Sequence, residues 1–323
     1  RGMLLATAAS LAAYEPPGLL KGLVEAKFRE VEQLRKLPDA RDDGPWGLRL
    51  GYPAQSASYA LTRALSADPG GLALVADLKR ASPGERLGDT VEVTPSLDVR
   101  DELRRASEAG LTAAMINVDR TSYGGEMRDL REARSCVEPL AAAGRRSPLP
   151  LVCKDLIVDP LQIAIAVAEG ADAVLLIAAA SAGDLPALLD ACTLMGVEAL
   201  VEVHTADELR LATECGASLL LVNQRDRATG RLVPGHAASL APALPPDAIR
   251  IAGGGVARVD QVRTLRRAGY DGVVLGRALA TFGGPELLSQ LGKEAPMGSP
   301  ADAFAVKVEV AEPPPSVESE YAP

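Results

Sequence analysis

The stretch Ala199–Val222, ALVEVHTADELRLATECGASLLLV, decides the fold. Ala199–Val203 is a short apolar run of the kind that forms a buried strand. Thr205-Ala206-Asp207-Glu208 reads as a capping box, in which the Thr hydroxyl and the Glu carboxylate satisfy N–H groups at a helix start. Asp207–Thr213 continues as a helix, and Gly216 stands where a left-handed residue ends one. Leu219–Val222 is a second apolar run. A strand, a capped helix and another strand in close succession predict a βαβ unit and parallel pairing.

The same alternation extends in both directions. Further apolar runs lie at Leu74–Leu78, Ala113–Val118, Leu149–Cys153, Ala173–Ile177, Ile249–Ala252 and Gly272–Leu275. Helical patterns lie between them at Val99–Ala109, Met127–Ala142, Leu161–Ala168, Leu185–Leu194 and Val259–Ala268. Gly110, Gly170 and Gly269 follow helical runs as Gly216 does. Eight such units predict closure into a (β/α)8 TIM barrel of class α/β. A doubly wound sheet is the main alternative, but no GxGxxG follows the first strand.

Upstream, Gly18–Lys36 carries Leu20, Leu23, Val24, Phe28, Val31 and Leu34 at helical spacing, whereas Asp39–Tyr52 is rich in Gly, Pro and Asp and predicts a loop. The expected organisation is residues 1–17 as a targeting remnant or docking segment, 18–70 as an N-terminal helical extension, 71–295 as the barrel, and 296–323 as a disordered tail. Met3–Ala13 is apolar and Ala-rich but shorter than the roughly 20 residues a spanning helix needs. Together with a sequence that begins at Arg1, it points to a processed chain.

A hydrophobic share of 47% supports a sizeable core, and 3% aromatics leaves Leu, Val, Ile and Ala to fill it. A net charge of −9 argues against general nucleic-acid binding, so any anion site must be local. Cys136, Cys153, Cys192 and Cys215 form no CxxC pair, and only His204 and His236 accompany them. That spacing suggests neither zinc nor a disulfide scaffold, and predicts buried, reduced thiols.

Barrel active sites lie at the C-terminal strand ends. The first strand ends Asp77-Leu78-Lys79, and alternation puts Asp77 and Lys79 on one face. The third ends in Lys154, with Cys153 facing the helices; the fifth carries Glu202; the sixth runs into Asn223-Gln224-Arg225-Asp226. Lysines are rarely buried without partners, so Lys79, Lys154, Glu202 and Arg225 predict a charged, functional mouth. The bland alternative is a set of charges that pair and solvate the rim. The seventh and eighth strands end Gly253-Gly254-Gly255 and Gly276-Arg277. Backbone N–H groups there could grip a phosphate with help from the next helix dipole; two flexible turns are the alternative. His204 reads as a structural histidine.

These motifs resemble the indole-3-glycerol phosphate synthase family of tryptophan biosynthesis over roughly Leu19 to Leu291. The resemblance rests on Leu78-Lys79-Arg80-Ala81-Ser82-Pro83, Cys153-Lys154-Asp155-Leu156-Ile157-Val158, Ala171-Asp172-Ala173-Val174-Leu175-Leu176-Ile177, Leu200-Val201-Glu202-Val203-His204 and Asn223-Gln224-Arg225-Asp226. It implies a carboxy-lyase that closes an indole ring on 1-(2-carboxyphenylamino)-1-deoxyribulose 5-phosphate, losing carbon dioxide and water. By resemblance Lys154 is the general acid, crowded by Lys79 in a way that suits proton transfer. Glu202 steers protons and balances the lysines, and Asp77 belongs to the same catalytic set. Lys79 and Arg225 hold the substrate carboxylate, with Asn223, Ser82 and Tyr123 also on the substrate. Gly254, Gly255, Gly276 and Arg277 hold the phosphate. Neither metal nor organic cofactor is implied.

The chain departs from the family pattern at several places. Asp77 stands where the family usually has Glu, Gly253-Gly254-Gly255 where it has Glu-Ser-Gly, and Tyr123 where it has Phe. Arg277 replaces a small or acidic residue. Two alternatives stay open: a catalytically weakened barrel serving as a structural or interaction subunit through its termini, and another phosphate-binding barrel such as a phosphosugar isomerase or thiamin-pathway enzyme. The expected compartment is the plastid stroma, with the cytoplasm as the alternative. The expected partner is the small phosphorylated substrate, with neither nucleic acid nor a membrane span.

Overall fold

A computed structural model describes residues 16–67, 71–83, 90–142, 148–181, 183–280, 287–288 and 290–291. Eight parallel strands close into a barrel: β1 (Ala73–Leu78), β2 (Ala113–Asn117), β3 (Leu151–Lys154), β4 (Ala173–Ile177), β5 (Glu198–Val203), β6 (Leu219–Asn223), β7 (Ile249–Gly253) and β8 (Gly272–Leu275). Each pairs with its sequence neighbour, and β1 closes the ring on β8 with Ala76 opposite Leu275. Helices follow the strands, as the alternating pattern predicts.

Alternation sorts the strand residues into two layers. Val75, Met115, Val152, Leu175, Leu221 and Val274 fill the barrel interior. Ala76, Ile116, Cys153, Val174, Val201 and Leu220 face outward and pack with the surrounding helices. In the βαβ stretch, Thr205 Oγ1 accepts from Glu208 N–H at 3.1 Å, and the Glu208 carboxylate accepts from His204 N–H at 2.7 Å. Gly216 ends that turn with φ of 83°.

The N-terminal extension closes both ends of the barrel. Helix α1 (Leu19–Leu34) presents Leu20, Val24 and Val31 to the interior cluster. Its start is pinned to the loop after β6, where Leu19 N–H donates to Ala228 O at 2.9 Å. Gly18 is required there: its φ is 54°, and a Cβ would lie 2.2 Å from Ala228 O. At the opposite end a short helix, Ala60–Leu65, inserts Leu61 and Leu65 into the same cluster.

The loop expected over Asp39–Tyr52 is instead a 3-10 turn, Pro38–Ala40, and a helix, Pro45–Gly51. Pro45 occupies the first helical turn, where its missing N–H costs nothing. Trp46 and Leu50 pack on the outer core, a tertiary gain that local composition does not announce. The buried-thiol expectation holds for Cys153 and Cys192, while Cys136 and Cys215 are half-buried at the barrel surface; all four are free. The segments 1–15 and 292–323, with most of the 1–17 targeting remnant and all of the 296–323 tail, lie outside the described residues. Among the described residues no helix is long and apolar enough to cross a membrane, and no cluster of His, Cys, Asp or Glu is placed to hold a metal.

Candidate active site

Three strand ends converge on one carboxylate. Asp77 is buried at the end of β1 and accepts from Lys154 Nζ at 2.9 Å and from Lys79 Nζ. Asn117, at the end of β2, donates to the same carboxylate at 2.7 Å and to Leu78 O at 2.9 Å. Among the described residues, Asn117 Oδ1 is buried without a hydrogen-bond partner. Burial opposes ionisation of Asp77, but the charges of Lys154 and Lys79 outweigh it and hold the carboxyl well below its ordinary range. Burial, joined by the neighbouring Lys154 and Arg227 and opposed by Asp77, pushes the Lys79 ammonium down to about 8.

A second ion pair faces the first. Glu202, at the end of β5, takes a two-pronged contact from Arg227, with Nε to Oε1 at 2.5 Å and Nη2 to Oε2 at 2.8 Å. Arg227 Nη1 also donates to the Tyr123 hydroxyl. Lys154 Nζ lies 5.5 Å from the centre of the Tyr123 ring. Burial favours the neutral acid at Glu202, but Arg227 and then Lys154 hold it ionised, below its ordinary range. Within this cluster of Asp77, Lys79, Lys154, Glu202 and Arg227 three cations face two carboxylates, a local surplus of one positive charge suited to an anionic group.

The roof of the mouth depends on Lys27 of α1. Its buried ammonium meets Asp119 and Asp155, each at 2.8 Å, in the loops after β2 and β3. Those carboxylates hold it charged against the cost of burial. Asp119 also caps the short helix Arg120–Tyr123, accepting from Ser122 N–H at 2.6 Å, and so sets the position of Tyr123. Farther out, Arg80 grips both oxygens of Asp129 at 2.5 and 2.9 Å, joining the loop after β1 to the helix Met127–Ala142.

The remaining expected residues are arranged as follows. Asn223 Oδ1 accepts from Arg225 N–H at 2.9 Å, and Arg225 Nη1 donates to Gly230 O at 2.6 Å within its own loop. Ser82 is buried in the two-stranded turn of Ala81–Pro83 with Thr90–Glu92 that follows β1. Gly276 lies against the first ion pair: a Cβ there would be 3.1 Å from Asp77 Oδ2 and 3.4 Å from Lys79 Nζ. Gly254 has φ of 86°, and a Cβ would lie 2.5 Å from Asn223 Oδ1, so no side chain fits in this backbone arrangement. Gly255 turns beside Leu232 with φ of 71°. Arg277 opens the helix Arg277–Ala280, and its side chain lies outside the described residues. His204 Nδ1 is 2.7 Å from Asn223 O, and its ring stacks on His236 at 4.2 Å, an engaged histidine.

This arrangement joins two lysines on one aspartate, an ionised glutamate and a local surplus of one positive charge on a barrel. The sequence pattern of the indole-3-glycerol phosphate synthase family matches residues 20–283. The chain belongs to the indole-3-glycerol phosphate synthase family.

Among its relatives, the indole-3-glycerol phosphate synthase of Micrococcus luteus is 33% identical over 271 residues, 83% of this chain and 94% of the relative. That of Rhodococcus jostii is 36% identical over 235 residues, 72% of this chain and 81% of the relative. That of Roseiflexus sp. is 34% identical over 277 residues, 84% of this chain and 96% of the relative. In this synthase-family chain the structure brings Asp77, Lys79, Lys154 and Glu202 of the strand-end reading together with Tyr123, which the resemblance supplied, whereas Arg225 of the same reading bonds within its own loop. Arg227, Lys27 and Asn117 went unnoticed in the sequence. A polar residue at the inward end of the second strand could have exposed Asn117; Lys27 and Arg227 left no local signal.

Proposed function

We propose that this chain is a carboxy-lyase that closes the indole ring of 1-(2-carboxyphenylamino)-1-deoxyribulose 5-phosphate, with loss of carbon dioxide and water. The observation that carries the reading is the meeting of Lys79 and Lys154 on Asp77 at the strand ends of a chain in this family. Lys154 serves as the general acid for the ketone oxygen. Lys79, with Arg225, attracts the substrate carboxylate. Glu202 handles protons as the ring becomes aromatic. Asn223, Ser82 and Tyr123 contact the substrate. Gly254, Gly255, Gly276 and Arg277 form the phosphate corner, where helix N-termini favour anions. The barrel occupies 71–295 and the helical extension 18–70.

Indole fluorescence from the purified chain and this substrate tests the reading. Turnover that disappears in Lys154→Ala is the expected result; a wild-type chain without turnover overturns it. The alternative of a structural subunit draws no support from the relatives, each named as the synthase. Size-exclusion of gentle extracts tests for a protein partner through residues 1–17 or the tail, which a free monomer would exclude. The Ala-rich start supports the plastid stroma, whereas the bacterial origin of the relatives supports the cytoplasm; imaging a fluorescent fusion distinguishes them.

A further inference from the structure

Arg227 stands on the loop after β6 rather than on a strand, yet its guanidinium reaches the mouth. It occupies both oxygens of Glu202 at 2.5 and 2.8 Å and bonds the Tyr123 hydroxyl. Its Cζ lies 6.0 Å from the centre of the Tyr123 ring, the ring that Lys154 Nζ approaches at 5.5 Å. One side chain therefore ties the end of β5 to the helix after β2. The backbone that carries it is itself held. Ala228 O accepts from Leu19 N–H at the start of α1, while Asp226 accepts from Ala228 N–H at 2.8 Å and from the Thr229 hydroxyl at 2.7 Å.

Glu202 is only 2% exposed. A carboxylate buried so deeply takes up a proton unless a cation stands against it. A guanidinium fork does more than supply charge, because its two parallel N–H groups also fix the carboxylate plane.

We infer that Arg227 is a positioning residue for the reaction: it clamps the Glu202 carboxylate, charged and in one orientation, to the Tyr123 ring beside Lys154. The inference rests on reading this mouth as the ring-closing site. Its chemical consequence is a division of labour. Glu202 so held can accept a proton but has none to give, which leaves proton donation to the lysines. Through Arg227 the loop after β6 gains a positioning role beside the substrate contact proposed for Arg225.

The test uses the full chain with Arg227→Met, which removes the charge, and Arg227→Lys, which keeps charge without the fork. The Glu202 carboxyl carbon is followed by carbon-13 NMR against pH and assigned with Glu202→Gln. The titration midpoint is expected to rise by about one pH unit or more in Arg227→Met, with Arg227→Lys recovering part of the shift. An unchanged midpoint in Arg227→Met overturns the inference. Should that variant fail to fold, Arg227→Gln carries the same expectation and the same overturning result. In turnover, kcat is expected to fall about tenfold or more with KM within about threefold, and Arg227→Lys to recover part of kcat. Equal losses in the Met and Lys variants with the Glu202 midpoint unmoved mark a structural role and overturn the inference. A wild-type chain without turnover removes the proposed function instead, and the Glu202 titration still decides whether Arg227 clamps it.

Discussion

Both ends of β5 carry a buried glutamate, and the two are treated in opposite ways. At the N-terminal end, Glu198 accepts from Leu61 N–H at 2.7 Å, from Thr62 N–H at 3.0 Å and from the Thr62 hydroxyl. It caps the helix Ala60–Leu65, whose Leu61 and Leu65 plug the barrel. Its charge is answered by a helix terminus, where anions are favoured. At the C-terminal end, Glu202 is answered by a side chain, the guanidinium of Arg227, beside two lysines that share one aspartate. The lower end satisfies its buried charge with backbone and plugs the barrel with leucine. The upper end keeps its charges on side chains that can exchange partners with a ligand. One strand thus shows how a barrel separates stability from chemistry.

Replacement of Lys154 should break this contrast most visibly. Lys154→Ala is expected to lower turnover by about a thousandfold, while the urea midpoint moves little because Asp77 keeps Lys79 and Asn117. Collapse of the fold in this variant would show that the upper charges are structural after all. Next in size is Lys27→Met, which leaves Asp119 and Asp155 buried without their cation. A loss of about 3 kcal/mol in urea unfolding is expected.

Glu198→Ala should cost about 2 kcal/mol, since it strips the cap from Ala60–Leu65. Its kcat should match the wild type; a parallel loss of turnover would mean that the two ends are coupled.

The smallest effect expected is on pH. Lys79 is charged below about 8 and neutral above it. Attraction of the substrate carboxylate is therefore full at lower pH and fades as pH rises through that value, with KM rising roughly tenfold per pH unit beyond it. The sign is opposite for the carboxylates. Asp77 and Glu202 are held below their ordinary values, so the stability they contribute is complete above the unfolded carboxyl range and is lost as pH falls. A KM that stays flat across the alkaline range would place Lys79 outside substrate binding.

The strand ends were readable in advance because a strand has period two. Once β1, β3 and β5 are recognised, alternation alone turns Asp77, Lys154 and Glu202 inward and Cys153 outward. The capping residues of the βαβ stretch were readable for a similar reason, since a cap and its N–H lie within one helical turn. Trp46 and Leu50 were not, because the helix they stabilise forms only against the outer core, far away in the chain. Arg227 was hidden for the same reason: it looks like one more charge in a polar loop, and its partner is 25 residues distant.

By itself, the sequence determined the barrel, its strand order and the charged residues at its mouth, since all of these follow from local periodicity and short-range capping. Tertiary structure alone decided how those charges pair: Lys154 and Lys79 on Asp77, Arg227 on Glu202, and Lys27 across two loops. Pairing depends on which strand ends and loops meet when the ring closes, and on the burial that makes an unpaired charge too costly to keep. Neither quantity exists until the chain has folded.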